Sequence, residues 1–326
     1  MTGVPADDSR VRTVFVGSGR FGLESLRRLA SHDDIDLVGV ITALPRPAGR
    51  KHELTPTPIH GVANELGIQS ILTPEGLRAP ASVAEVLALQ PELLVLADYG
   101  QIVPAALLEV RHGALNLHPS LLPRHRGATP IPAAILAGDM QTGVTLMRMD
   151  EGLDTGPIVD QVRLPLDGTE TTPQLEARLA DMAAALLSQR LEPWLAGEIT
   201  PRPQDDSAAT LTRPFRREDG RLDPMRPTAE LERQVRALQP WPGAFVEAPS
   251  GRIKVFAAEV LPPAVDQRPS TFVPDDGDGL AIATIDGRLR LLEVQSAGGR
   301  RMSGSDFRRG LNSANGLFRS LIGRLP

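Results

Sequence analysis

The stretch from Gly113 to Val159 constrains the fold of this chain more than any other. It opens with the alternating run ALNLH at 114–118, which is typical of the end of a buried strand. Alternate strand residues point to the same face, so Asn116 and His118 leave the strand side by side. The PSLLP run that follows ends the strand, because proline cannot donate to a β-ladder. The sequence therefore predicts an amide next to an imidazole at one strand end.

The second half of this stretch supplies a carboxylate. Apolar spacing predicts a helix at about 130–137 and a second strand over 143–149. That strand leads into DEGLDTGP at 150–157, an acidic loop with two glycines. We expect this loop to bring Asp154 beside His118.

These three side chains suit the transfer of an acyl group to an amine. An amide such as Asn116 stabilises the oxygen that gains charge in a tetrahedral intermediate. The imidazole of His118 titrates near neutrality and can carry protons, and a carboxylate such as Asp154 orients it and stabilises its charged form. No nucleophilic side chain is needed when the amine attacks directly, and the chain has no cysteine. The alternative is a structural role, with the backbone satisfying the Asn and His and Asp154 serving as a turn residue.

A longer string favours the catalytic interpretation. NLHPSLLPRHRG at 116–127, followed by GLDTG at 152–156, resembles the signature of the 10-formyltetrahydrofolate-dependent formyltransferases. The flanking motifs that fit in the expected order are RPAGR at 46–50, YGQIVP at 99–104 and QPWP at 239–242. The resemblance covers about residues 11–310, and these flanking motifs are similar to those of members that act on initiator tRNA.

The resemblance implies an activity and a set of site residues. The formyl group of 10-formyltetrahydrofolate would pass to the amino group of methionine on initiator Met-tRNA. Asn116 would polarise the formyl oxygen, His118 would handle protons and Asp154 would tune the imidazole. The implied folate-binding residues are Tyr99, Gly100, Gln101, Ile102, Val103, Ser120, Leu121, Leu122, Pro123 and Asp150. Asp98 departs from the family, which usually has a small residue at this position.

Basic residues are the candidate tRNA contacts. Residues 43–58 are rich in proline and glycine, which predicts an irregular loop. The resemblance implies that this loop contacts phosphates near the acceptor end of tRNA, which would position the substrate without reading its sequence. The alternative is an ordinary solvated loop. The residues predicted to contact tRNA are Arg46, Arg50 and Lys51 in this loop and Arg300 and Arg301 in a basic turn.

A literal GxGxxG lies at Gly17–Gly22, between a predicted strand at 11–17 and a predicted helix. Taken alone, this motif predicts a dinucleotide site at the helix N-terminus. The next strand, over 35–42, ends without the carboxylate that would bind a ribose. Arg46 could serve a 2′-phosphate, which keeps an NADP-dependent oxidoreductase as an alternative.

The order of strands and helices predicts two domains. Residues 1–197 alternate between the two, which favours an α/β, Rossmann-like catalytic domain with a mostly parallel open sheet and helices on both faces. Residues 198–212 are polar and contain proline, so we predict a linker. Residues 213–326 contain several short strands, which favours a small OB-like β-barrel. The resemblance implies that this domain binds tRNA. The net charge is −9 over 1–210 and +4 over 211–326, which agrees with a tail that contacts polyanion.

Composition narrows the class of protein. The absence of cysteine excludes disulfides and Cys-based metal sites, and the six histidines lack ligand spacing, so we expect no metal. No apolar run reaches the length that a bilayer requires, and we expect a cytoplasmic monomer. Two further alternatives are a formyltransferase for an amino-sugar nucleotide or other small amine, and a non-catalytic RNA-binding protein.

Overall fold

The structure, a computed structural model, describes residues 10–48, 53–248, 251–264, 267–275 and 277–313. Arg50 and Lys51, two of the predicted tRNA contacts, lie outside these residues. The elements of the first half are β1 (Val11–Gly17), α1 (Leu23–Ala30), β2 (Ile35–Ile41), β3 (Arg46–Ala48), β4 (Glu53–Thr55), α2 (Pro58–Glu65), β5 (Ile71–Leu72), α3 (Pro80–Ala88), β6 (Leu93–Ala97), α4 (Ala105–Leu108), β7 (Ala114–His118), β8 (Arg126–Gly127), α5 (Pro130–Ala137), β9 (Gln141–Arg148) and β10 (Ile158–Pro165). Those of the second half are α6 (Thr172–Leu195), β11 (Leu211–Thr212), α7 (Thr228–Ala237), β12 (Ala244–Ala248), β13 (Gly251–Leu261), β14 (Phe272–Pro274), β15 (Leu280–Ala283), β16 (Arg288–Ser296), β17 (Met302–Ser303) and α8 (Gly304–Ser313).

Seven strands form the main sheet, in the order β10-β9-β7-β6-β1-β2-β5. Five neighbouring strands of this sheet are parallel, namely β7, β6, β1, β2 and β5. Strand β9 runs antiparallel to both of its neighbours. Every residue of β6 is buried, as expected for a central parallel strand with an unbroken apolar run. The predicted mostly parallel α/β sheet is confirmed.

The sheet order sets the position of the candidate site. The ends of β6 and β7 lie side by side, with Ala97 opposite Leu117, and ligands of open α/β sheets bind beyond such carboxyl ends. Strand β9 leaves the sheet near the start of β7, because Arg148 pairs with Leu115. The loop after β9 must therefore fold back along β7 by about 10 Å to reach His118.

The chain forms two compact units whose limits differ from the predicted ones. The first contains the residues up to 130, 141–165 and 175–213, and the second contains 131–140, 166–174 and the residues from 214 on. The predicted linker at 198–212 is part of the first unit, where β11 pairs with β8 and Arg202 pairs with Ile158. Residues 198–212 make polar contacts, which a pattern of hydrophobic residues does not reveal.

The second unit contains an antiparallel sheet in the order β12-β13-β16-β15-β14, with β17 on β16. Its core gathers apolar residues from the strands and from helix α7, such as Ile253, Leu289 and Leu231. This arrangement agrees with the predicted OB-like domain. Strands β14 and β17 are too short to show in the sequence pattern.

Residues 46–55, predicted to be irregular, contain the short antiparallel pair β3–β4, with Arg46 opposite Thr55. Strands of three residues carry too little periodicity to be read from sequence. In the described part of the chain, no helix combines the length and apolarity that crossing a bilayer demands.

Candidate active site

The structure brings His118 and Asp154 together as predicted. His118 Nδ1 lies 3.7 Å from Asp154 Oδ2, and the two side chains are 5% and 16% exposed. Asn116 stands two residues before His118 on the same strand and is half-buried. Its side-chain amide makes no hydrogen bond to any residue that the structure describes. An amide with free donors therefore stands next to an imidazole–carboxylate pair.

The hydrogen bonding of His118 fixes which nitrogen is available as a base. Nε2 lies 3.0 Å from the carbonyl oxygen of His125. A carbonyl can only accept, so Nε2 carries the proton and neutral His118 has its lone pair on Nδ1. Nδ1 is the nitrogen that faces Asp154, so a proton taken up there enters beside a carboxylate.

Burial lowers the pKa of His118 from its ordinary value, and the charge of Asp154 opposes this shift. Burial therefore favours the neutral imidazole, which is the form that is able to accept a proton. The nearby carboxylate then stabilises the imidazolium that forms, which is the arrangement expected of a general base.

Asp154 is held in an uncommon backbone conformation. Its φ is +54°, in the left-handed region, where Asp and Asn are better tolerated than most other residues. Its Oδ2 accepts a hydrogen bond from the backbone N–H of Gly127 at 2.7 Å. The same oxygen thus faces His118 and is fixed by the chain that follows the SLLP motif.

The SLLP segment is shaped by side chains that sequence analysis missed. The Leu122–Pro123 peptide bond is cis. Thr145 of β9 donates from its hydroxyl to the carbonyl of Ser120 and accepts from the N–H of Leu122. Gln161 of β10 donates to the carbonyl of Leu122 and to the Thr145 hydroxyl. The sequence pattern marked Thr145 only as a strand residue, and nothing in it shows which side chains of neighbouring strands contact the segment.

The predicted folate residues lie in three segments. Tyr99 to Val103 form the irregular connection between β6 and α4. The buried hydroxyl of Tyr99 has no hydrogen-bond partner among the described residues, and desolvation raises its pKa to about 12. Gln101 has a structural role as well, since it accepts from Leu77 N and donates to the Pro74 carbonyl. Val103 is a core residue, whereas Ile102 is 61% exposed.

The other two segments, residues 120–123 and the turn that begins at Asp150, differ in burial. Ser120 and Leu122 are buried, and Leu121 and Pro123 are half-buried. Asp150 is exposed and organises the turn after β9, since its Oδ1 accepts from Gly152 N and from the Thr155 hydroxyl. Asp150 thus shapes the loop that carries Asp154.

The predicted tRNA contacts are surface residues where the structure describes them. Arg46 is exposed on β3. Arg300 is exposed in the turn before β17. The guanidinium of Arg301 lies 3.7 Å above the ring of Phe256 and pairs with Glu293 at 3.1 Å. These positions leave Arg46 and Arg300 accessible to a polyanion.

The GxGxxG turn is occupied by the protein's own side chains. Asp98 lies so close to the turn that a Cβ at Gly19 would be 1.5 Å from its Oδ2. Ser18 accepts a hydrogen bond from Ala43 N, and buried Thr42 directly follows β2, where a ribose-binding carboxylate would stand. Partial burial, together with the charge of Asp98, raises the pKa of Glu176, which places a second carboxyl group near this turn. A dinucleotide pyrophosphate here would meet like charge.

We therefore expect NADPH not to bind. Titration of the chain with NADPH, followed by nucleotide fluorescence, should show no saturable change at millimolar concentrations. Folinic acid serves as the positive control in the same buffer. Saturable NADPH binding that Gly19→Val abolishes would contradict this assignment of the turn.

No group of three or more His, Cys, Asp or Glu side chains in the described ranges is arranged to hold a metal ion.

Comparison with known proteins agrees with the geometry. Residues 11–191 match the family model described as formyl transferase, and residues 214–312 match the formyl transferase C-terminal domain. The methionyl-tRNA formyltransferase of Roseiflexus sp. (strain RS-1) is 42% identical over 308 residues, 94% of each chain. That of Marinobacter nauticus is 38% identical over 297 residues, which cover 91% of this chain and 95% of the relative.

Solved structures share the fold. An N-formyltransferase from Helicobacter canadensis, in complex with folinic acid and dTDP-3-aminofucose, has a TM-score of 0.61 at 16% identity and covers 86% of this chain and 98% of its own. HypX from Aquifex aeolicus, in complex with tetrahydrofolic acid, has a TM-score of 0.62 at 17% identity and covers 94% and 48%. The two domain matches and the full-length relatives show that this chain belongs to the formyl transferase family.

Proposed function

We propose that this chain transfers the formyl group of 10-formyltetrahydrofolate to the amino group of methionine on initiator Met-tRNA. The observation that carries the proposal is the approach of His118 and Asp154 at the end of the strand that also carries Asn116. Relatives named methionyl-tRNA formyltransferase support the choice of substrate, because their similarity extends over both domains.

The site residues account for each step of the transfer. The methionyl amine attacks the formyl carbon, a new C–N bond forms, and the bond from that carbon to N10 of the folate breaks. Asn116 donates a hydrogen bond to the carbonyl oxygen as it gains charge. His118 Nδ1 takes the proton that the attacking nitrogen loses and returns it to the departing N10, and Asp154 stabilises the imidazolium in between.

The residues present fit a folate co-substrate. Among the described residues, neither the Asn116 amide nor the buried Tyr99 hydroxyl has a hydrogen-bond partner. Both therefore have hydrogen-bonding capacity that a ligand can use, and a buried polar group left unpaired is costly. The exposed side chains of Ile102 and Leu153, on the two predicted loops, offer apolar surface to the pterin or its linker.

The direct test is formyl transfer by the purified chain. We expect N-formylmethionine on initiator Met-tRNA when 10-formyltetrahydrofolate is supplied. A dTDP-linked amino sugar forms the second arm of the assay, because the Helicobacter canadensis N-formyltransferase was solved in complex with dTDP-3-aminofucose. Formylation of the sugar alone would replace the tRNA assignment with the amino-sugar one.

Substitutions of arginine in the loop at 43–58 should weaken the binding of tRNA and leave the binding of folate unchanged. We expect Arg46→Ala and Arg50→Ala each to raise the KM for Met-tRNA and to reduce its salt dependence by about 1 in log–log slope, as for loss of one phosphate contact. Steady-state kinetics at several salt concentrations measure both quantities.

Arg28→Ala on α1 is the matched control, since Arg28 is also exposed. If both Arg46→Ala and Arg50→Ala leave the KM for Met-tRNA unaltered, the loop at 43–58 is not part of the tRNA interface.

We further propose that the chain acts in the cytoplasm as a monomer. The lack of cysteine suits the cytoplasmic location. Light scattering after gel filtration measures the mass, and a dimer peak would overturn the monomer.

A further inference from the structure

The segment predicted as a linker contributes a side chain to the loop that carries Asp154. Gln204 Nε2 donates to the carbonyl oxygens of Asp154 at 2.8 Å and Gly156 at 2.7 Å. Its Oε1 accepts from Arg126 Nη2 at 2.8 Å and from Nε at 3.1 Å. One half-buried amide thereby uses both of its donors and its acceptor.

These bonds hold the loop at the residue that matters for chemistry. Other contacts within the turn start from exposed Asp150 and are local. Asp154 has a φ of +54°, a conformation that persists only where its surroundings enforce it. Gly156 is packed so tightly that a Cβ there would lie 1.9 Å from the Arg148 carbonyl. Gln204 fixes the carbonyls on both sides of Thr155 and so limits where Asp154 can stand.

Arg126 connects this amide to the carboxylate end of Asp154. Its guanidinium is bound by Gln204 and by Asp206 at 2.7 Å, and the residue is 5% exposed. Its backbone neighbour, Gly127, donates to Asp154 Oδ2. The backbone carbonyls and the carboxylate of Asp154 are therefore both tied to the same short segment, and a buried guanidinium is stable only when paired in this way.

We propose that Gln204 is a positioning residue of the formyl-transfer site, one that sets the Asp154 carboxylate against His118 Nδ1. The proposal rests on the proposed function and adds a residue outside the sequence motif. Gln204 acts through Asp154, so its loss should resemble loss of the Asp154 charge.

Gln204→Met keeps the length of the side chain and removes its hydrogen bonds. We expect kcat to fall by ~10²-fold, the scale of an ångström-sized misplacement, with the KM for folate unchanged. The acid limb of kcat/KM should move to lower pH, because His118 loses the carboxylate that raises its pKa. The control is Gln69→Met, which removes an exposed amide that donates to the Gly67 carbonyl and should change none of these values.

Gln204→Glu separates the two ends of the contact. Glutamate still accepts from Arg126 but presents oxygen to the carbonyls of Asp154 and Gly156. If Gln204 positions Asp154, Gln204→Glu should be as slow as Gln204→Met. Wild-type kcat and pH profile in Gln204→Glu would mean that the residue only supports Arg126, which overturns the proposal.

A double variant with Asp154→Asn completes the test. Adding Gln204→Met to Asp154→Asn should change neither kcat nor the acid limb further, whereas two independent effects would multiply. Multiplying effects would overturn the proposal. Failure of the wild-type chain to formylate Met-tRNA would instead refute the proposed function, so the two failures are distinguishable.

Discussion

Replacing His118 with alanine should reduce formyl transfer by ~10³-fold or more, within the range that general acid–base catalysis supplies. The amine loses the imidazole that lies beside Asp154, and the N10 leaving group loses its proton donor. Folate affinity should be unchanged, because the pterin is expected to be held by Tyr99–Val103 and by the loop after β9. Single-turnover formylation and folinic acid titration measure the two quantities separately.

The alanine change also leaves a cavity in a buried position, so a second variant is needed. His118→Gln retains a donor that can reach the His125 carbonyl, as Nε2 does now, but cannot carry a proton at neutral pH. We expect it to melt near the wild-type temperature and to remain as inactive as His118→Ala. An active His118→Gln would remove the proposed proton transfer at this residue.

Asp154→Asn should reduce kcat by ~10²-fold and shift the pH profile. Asparagine tolerates the left-handed φ of +54° and can accept the Gly127 hydrogen bond, so the loop should keep its shape. What changes is charge: the carboxylate opposes the lowering of the His118 pKa that burial causes.

The sign of the pH effect follows from this. The base must be unprotonated, so activity falls as pH drops through the pKa of His118. Removing the carboxylate lowers that pKa further, and the acid limb of kcat/KM moves to lower pH. Profiles measured between about pH 5 and pH 8 test this. A limb that stays in place, or moves to higher pH, would mean that Asp154 does not interact electrostatically with His118.

The prediction for Asp154→Asn has a control variant in the same part of the chain. Asp205→Asn, next to Gln204, alters a carboxylate whose bonds go to Ser207. It should leave both kcat and the pH limb at their wild-type values. A change of similar size there would show that this part of the chain tolerates no charge removal, and the Asp154 result would then lose its specificity.

Sequence alone determined the local chemistry of this protein. Alternation placed Asn116 and His118 on one face because strand periodicity is a local property, and Pro119 ended the strand for an equally local reason. The apolar run at 93–97 predicted a buried parallel strand, which β6 confirms. The motif string was specific enough to indicate the family.

Tertiary structure decided everything that depends on distance across the fold. Strand β9 ends near the start of β7, whereas His118 is at the other end of β7. Only the path of the loop after β9, which Gln204 and Gly127 hold by hydrogen bonds, brings Asp154 to His118. Thr145 and Gln161 hold the cis Leu122–Pro123 segment through long-range hydrogen bonds. Such polar contacts leave no periodic pattern, which is why residues 198–212 resemble a linker in sequence and support the site in the fold.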